Sequence, residues 1–227
     1  MRFSFCLFLV RSMVRLISFE GGDGSGKSTQ LKLLEGYLSS HGRACLSTRE
    51  PGGTNLGKMI RKVLLEVGEE RVSSQTELFL YLADRAQHVD EVIQPALGSS
   101  RLVLCDRFTD STLAYQGYGR GVDLRMLRQM NLIASRGITP DLTFLLDCPV
   151  EIGLSRTARR MREQLAVKGQ EDRFEREQIE FHERVRRGFQ ELAQAEAGRI
   201  CVLDASRSIQ EVHDQIRQIV ERRLAGD

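Results

Sequence analysis

FEGGDGSGKSTQ, residues Phe19 to Gln30, places four glycines in six positions and then Lys27, Ser28 and Thr29. Glycine costs stability inside regular structure, so a run this dense supplies close backbone approach that side chains would obstruct. Gly21, Gly26, Lys27 and Ser28 fit the spacing GxxxxGK[ST], which carries meaning only between a strand and a helix. That context is present. Upstream, VRLISFE (Val14 to Glu20) reads as a short buried strand; downstream, Leu31, Leu34 and Leu38 recur at helical spacing, with Gly42 as a C-terminal stop. In this setting the backbone N–H groups of Gly21, Gly22, Asp23, Gly24, Ser25, Gly26, Lys27, Ser28 and Thr29 surround the phosphates of a bound ATP at a helix N-terminus. Lys27 reaches the β- and γ-phosphates, and the Ser28 hydroxyl takes a Mg²⁺ position.

Composition sets outer limits. With 227 residues, 41% of them hydrophobic, the chain is long enough to bury a real core and reads as a single α/β domain from residue 14 onward. A net charge of +2 calls for neither nucleic acid nor an anionic membrane. The five cysteines, Cys6, Cys45, Cys105, Cys148 and Cys201, are far apart and form no CxxC pair, which argues against structural zinc and suits the reducing cytoplasm. Residues 1–13 include a short apolar stretch without a small-residue cleavage site, too short to span a bilayer. Because Met13 abuts the first strand, Met1 to Ser12 read as a non-native or disordered extension.

Five apolar runs alternate with helical segments: VRLISFE, ACLST (Ala44 to Thr48), LVLCD (Leu102 to Asp106), LTFLLD (Leu142 to Asp147) and ICVLD (Ile200 to Asp204). That alternation predicts βαβ units and a five-stranded parallel sheet, with ligands at the C-terminal strand ends. Arg156 to Arg187 is densely charged and suits a mobile helical excursion, a lid over about 156–175, rather than core. LVLCDR ends in Asp106 and Arg107. Beside a phosphate loop, a strand-end aspartate is the second Mg²⁺ element and an adjacent arginine suits a second phosphate, although such an aspartate can also simply cap a turn.

With these tips in hand, the chain resembles the thymidylate kinases, nucleoside monophosphate kinases that make dTDP from dTMP. The residues that carry the likeness are EGGDGSGKSTQ, TREPGGT (Thr48 to Thr54), YLADRAQHV (Tyr81 to Val89), DRFTDSTLAYQGYGRG (Asp106 to Gly121), PDLTFLLD (Pro140 to Asp147) and DRFE (Asp172 to Glu175). The phosphate loop belongs to a large superfamily; TREPGGT together with DRFTDSTLAYQG is far more specific. The resemblance implies the P-loop nucleoside monophosphate kinase fold, ATP and Mg²⁺, dTMP as acceptor, and a homodimer.

It also implies roles. Asp23 lies against the acceptor 3′-hydroxyl, which accounts for a carboxylate among phosphate-binding amides, where like charges repel. Pro51 shapes the nucleotide pocket, Tyr81 stacks on thymine and Arg85 meets its O4; Tyr81 and Arg85 also suit a core tyrosine and a surface salt-bridging arginine. Arg107 takes the acceptor phosphate, Ser111 and Thr112 the base edge, Tyr115 the underside of the sugar where a 2′-hydroxyl would project, and Gln116 the pocket wall; Ser111 equally suits a helix cap. Arg49 and Glu50 receive no role. Arg156, Arg159 and Arg160 share a helical face that can be a solvated basic surface. The loop has no arginine, with Gly24 where some family members carry one, so Arg156 and Arg160 are the candidate lid arginines for transition-state charge, as in bacterial-type members. The rivals are a kinase for another nucleotide, such as dUMP or a deoxynucleoside, a GTPase-type switch, and a nucleic-acid-dependent ATPase. The switch needs an NKxD segment and a DxxG after the second strand, and the sequence has neither there.

Overall fold

A computed structural model describes residues 14–65, 72–165 and 177–225. The apolar runs form β1 (Leu16–Glu20), β2 (Cys45–Arg49), β3 (Leu102–Asp106), β4 (Leu142–Asp147) and β5 (Ile200–Asp204), all parallel, in the order β2-β3-β1-β4-β5. Every residue of β1 is buried, because the central strand of a sheet covered on both faces has no solvent side. Its polar member Ser18 is satisfied across the ladder, with Oγ 2.7 Å from Thr143 Oγ1.

The helices are α1 (Lys27–Ser40), α2 (Asn55–Leu65), α3 (Ser74–His88), α4 (Gln94–Gly98), α5 (Thr109–Thr112), α6 (Leu124–Ala134), α7 (Val150–Leu165), α8 (Ile179–Ala195) and α9 (Ile209–Ala225). On one sheet face, Leu31, Leu34 and Leu38 of α1 pack with Val212, Ile216 and Val220 of α9 over Ile17, Phe144 and Leu146. On the other, Leu78, Leu127, Phe181, Val185 and Phe189 cover Leu145, while Val89, Ile93 and Ala96 cover Val103 and Cys105. Helix α1 stops as its sequence suggests: Gly42 adopts φ +70 and Arg43 N–H donates to Leu38 O at 3.0 Å.

Two π-helical stretches interrupt the regular turns, Val89–Ile93 between α3 and α4 and Leu113–Gly119 after α5. Such turns add a residue per turn and so re-aim side chains, often at functional sites; the second carries Tyr115 and Gln116.

The charged segment corrects one expectation. From Ile179 onward it is core: α8 buries Phe181, Val185, Phe189 and Leu192, its charges lying on the opposite face of an amphipathic helix. Residues 166–176, which hold half of the expected lid and all of DRFE, fall outside the described residues, as do residues 1–13.

Candidate active site

β1 ends at Glu20 and the chain turns through the glycine run into α1. Gly21 at φ +134 and Gly24 at φ +71 adopt backbone conformations that L side chains rarely reach. A Cβ at Gly21 would lie 2.5 Å from Leu146 O, and one at Gly24 would lie 2.0 Å from Gly153 O, so an arginine at 24 is sterically barred in this packing. Lys27 is buried, and its Nζ donates to Gly21 O (3.1 Å), Gly22 O (2.7 Å) and Ser25 Oγ (3.3 Å). Burial, and then the neighbouring Arg107, bring the Lys27 pKa down to about 8.

Register places Asp106 of β3 beside Phe19 of β1, close to the start of α1. There the exposed Ser28 donates its hydroxyl proton to Asp106 Oδ2 at 2.5 Å. This pair of hard oxygen donors fits Mg²⁺, which takes one or two protein ligands and completes its shell with water and phosphate oxygens. Among the described residues no group of three or more His, Cys, Asp or Glu is arranged to hold a metal ion.

Arg107 adopts φ +70, uncommon outside glycine, and its guanidinium reaches back to the loop. Nη1 donates to Gly21 O (3.0 Å) and Ser111 Oγ (3.1 Å), and Nη2 to Asp23 Oδ1 (2.7 Å) and Tyr115 OH (3.0 Å). The Tyr115 hydroxyl donates in turn to Asp23 Oδ2 at 3.1 Å. The Asp23 carboxylate therefore faces a guanidinium and a phenol. Burial pushes its pKa up, but Arg107, Lys27 and His182 more than offset this and hold it below the ordinary carboxylate range. The Tyr115 ring stands edge-on to Phe181 and Phe189, with centroids 6.2 Å away in each case.

Ser111 sits at the Arg107 end of the cleft. Its hydroxyl donates to Glu20 Oε2 at 2.6 Å, and the first residue before α5 is Phe108, with no side-chain cap, so the capping alternative for Ser111 is not what forms. Glu20 is fully buried and also accepts from Phe108 N–H at 2.7 Å. Burial first, and then Asp110, push its pKa up to about 8.

Arg85, read from sequence as a base contact or a surface ion-pair partner, is 2% exposed. Nε donates to Glu50 Oε2 (2.8 Å), Nη1 to Thr112 Oγ1 (2.9 Å) and Asn131 Oδ1 (2.5 Å), and Nη2 to Phe108 O (3.0 Å). A buried guanidinium needs this density of acceptors. The surface alternative is thus excluded, and Glu50, which had no sequence role, is the counter-ion; its Oε1 lies 2.9 Å from His88 Nδ1. Arg61 was also missed: it donates to Pro51 O at 3.0 Å and lines two adjoining clefts, one at Arg85 and Tyr115 and one at Lys27 and Asp106. Neither had a local signal: the partners of Glu50, Arg85 and His88, lie 35 and 38 positions along the chain, and the partner of Arg61, Pro51, lies 10 positions before it in a turn.

Three clefts run into one another. Asp23, Pro51, Tyr81, Arg85, Tyr115 and Gln116 line the first, with Arg107, Ser111 and Thr112. It shares Asp23, Glu50, Arg61 and Arg107 with a second around Lys27, Ser28 and Asp106. The second shares Gly24, Gly26, Thr29 and Arg160 with a third of about 620 Å³, lined also by Arg156, Arg159 and the loop after β5 from Ala205 to Ile209. Arg156 Nη1 donates to Ala205 O at 2.9 Å, beside the third cleft, whereas Arg160 reaches the phosphate cleft.

A parallel sheet with a GxxxxGKS loop after its central strand, Ser28 and Asp106 paired at the strand ends and an arginine-lined cleft adjoining them is the architecture of a P-loop nucleoside monophosphate kinase. A sequence model of thymidylate kinase matches residues 19–216. The chain is 51% identical to the thymidylate kinase of Desulfovibrio desulfuricans over 92% of its own length and 95% of that protein's, and 47% identical to that of Geotalea daltonii over 93% and 98%. The crystal structure of thymidylate kinase from Ehrlichia chaffeensis superposes with a TM-score of 0.72 at 33% identity, covering 92% of this chain and 99% of that one. The chain belongs to the thymidylate kinase family.

Proposed function

We propose that this protein transfers the γ-phosphoryl group of ATP in line onto the phosphate of dTMP, with Mg²⁺, giving dTDP and ADP. The observation that carries the reading is the continuity of the three clefts: an acceptor pocket and a donor pocket open onto one phosphate centre. Phosphoryl transfer asks for positioning and charge neutralisation more than for covalent chemistry. Lys27 and the loop amides hold the donor phosphates, and Arg107, anchored by Asp23 and Gly21, holds the acceptor phosphate. Ser28 and Asp106 would hold Mg²⁺, which would supply positive charge to the transferring phosphates. Arg160 and Arg156 add positive charge from α7. Tyr81 and Arg85 flank the base, and Tyr115 with Asp23 the sugar.

A homodimer is part of the proposal, supported by exposed apolar side chains on α2 (Met59, Val63), α3 (Phe79) and α6 (Leu132, Ile133), and sedimentation velocity checks it. A cytoplasmic location accords with free thiols at Cys45, Cys105, Cys148 and Cys201; among the described residues no helix is long and apolar enough to cross a membrane. The deciding assay is ADP formation from ATP with dTMP, dUMP, UMP, AMP or single-stranded DNA. Strong stimulation by dTMP is expected; stimulation by another of these in its place would refute the reading.

A further inference from the structure

The acceptor pocket contains an amide whose orientation is imposed from behind. Gln116 is 2% exposed and lines the cleft, and its Nε2 donates to Glu77 Oε1 at 3.0 Å. Glu77 is 1% exposed, stands in the first turn of α3, where a helix N-terminus favours a carboxylate, and faces Arg120, whose Nε and Nη2 lie 3.4 and 3.3 Å from its oxygens. Arg120 is itself held by Glu177 at 2.7 Å and by the Phe181 ring, 4.4 Å from its Cζ. Both Glu77 oxygens accept from N–H donors, Oε1 from Gln116 Nε2 and Arg120 Nε and Oε2 from Arg120 Nη2, so the carboxylate faces the NH₂ end of the amide and not the oxygen end. Gln116 Oε1 is thereby left as the acceptor in a residue of the pocket wall.

The opposite group is supplied by Arg85. Its guanidinium has five N–H donors, and Glu50, Thr112, Asn131 and Phe108 take four, leaving one on Nη2 in a residue lining the same cleft. A donor and an acceptor together match an imide edge, where a carbonyl oxygen adjoins an N–H. They mismatch a cytosine-type edge, which presents an amino donor beside an acceptor nitrogen, so both wall groups would be left unpaired.

We propose that Glu77, with Arg120 as its counter-ion, is a specificity-determining positioning residue: it orients Gln116 so that the pocket reads the imide N–H of thymine-type bases and rejects cytosine. The proposal rests on the reading that the base of dTMP occupies this cleft. A site built from buried hydrogen-bonding groups rejects a mismatched ligand far more strongly than a steric wall does, so dTMP should exceed dCMP by about 10³-fold or more in kcat/KM.

The test is kcat/KM for dTMP and dCMP on wild type and E77Q, with a urea melt of each. Glutamine in place of Glu77 can present either end of its amide, so Gln116 becomes free to rotate. The dTMP to dCMP ratio should then narrow about tenfold or more, mostly through rising dCMP turnover. A parallel loss for both substrates with the ratio unmoved would mean that Glu77 merely holds the fold together, and would overturn the proposal. Should E77Q not fold, wild type with N3-methyl-dTMP decides: a loss of about 10²-fold or more against dTMP is expected, and undiminished turnover overturns the idea. Failure of wild type to use dTMP at all would instead sink the functional reading on which this rests.

Discussion

Sugar selection should reside in the ring of Tyr115 and not in its hydroxyl, and two substitutions separate them. The hydroxyl sits between Arg107 Nη2 at 3.0 Å and Asp23 Oδ2 at 3.1 Å. Hydrogen bonds to charged groups are worth about 1.5–3 kcal/mol each. Arg107 and Asp23 keep their own 2.7 Å ion pair when the hydroxyl goes, so neither is left stranded and Tyr115→Phe should cost about 1.5 kcal/mol, roughly tenfold in kcat/KM. That loss should fall equally on dTMP and its ribo counterpart. Tyr115→Ala also removes a 7% exposed ring wedged edge-on between Phe181 and Phe189. Its stability should drop by about 3–5 kcal/mol, the usual cost of emptying a buried aromatic site.

Steric exclusion of one oxygen is worth about 10²-fold, so Tyr115→Ala should narrow deoxy/ribo discrimination by more than about tenfold, while Tyr115→Phe leaves it within about threefold. The assay is kcat/KM for both substrates on the three proteins, with urea midpoints to confirm folding. If Tyr115→Phe collapses the ratio, or Tyr115→Ala preserves it, the ring edge is not the discriminator. Selection would then lie in the Asp23 carboxylate, and the placement of the sugar over the ring would be wrong.

Glu20 makes stability depend on pH in a defined direction. Because burial and Asp110 raise its pKa from 4.5 to about 8, the folded state holds a proton that the unfolded chain releases, so this residue's contribution falls as pH rises between those values. Glu20→Gln, which cannot ionise, should flatten the decline of the urea midpoint between about pH 5 and pH 8, and an unchanged slope would contradict the assignment. Arg199 forms a two-pronged pair with the buried Asp110, at 2.7 and 2.8 Å. Arg199→Ala should therefore destabilise by about 3–5 kcal/mol in urea unfolding, with partial recovery when Asp110 is also replaced by alanine; a loss under about 1 kcal/mol would refute the dependence.

The phosphate loop, the five strands, the stop of α1 at Gly42 and the Asp106–Arg107 strand tip were all legible from the amino acids. Each rests on short-range rules: strand runs on burial, the loop on glycine spacing, the stop on a left-handed residue. The Arg156 to Arg187 stretch shows where those rules give out. Charge density suggested an excursion, but the apolar face of α8 recurs every three or four residues among the charges and packs under the π-helical turn.

By itself, then, the sequence determined a parallel sheet with a phosphate loop after its first strand, and the specific motifs pointed to the family. Tertiary structure alone decided the electrostatics of the acceptor pocket. Which carboxylate answers Arg85, what turns the Gln116 amide, and what draws Asp23 onto Arg107 and Tyr115 all depend on groups 35 to 92 positions apart along the chain. The free energy of a buried charge is set by what folding brings within about 3–4 Å of it, and no pattern of neighbours in sequence encodes that distance.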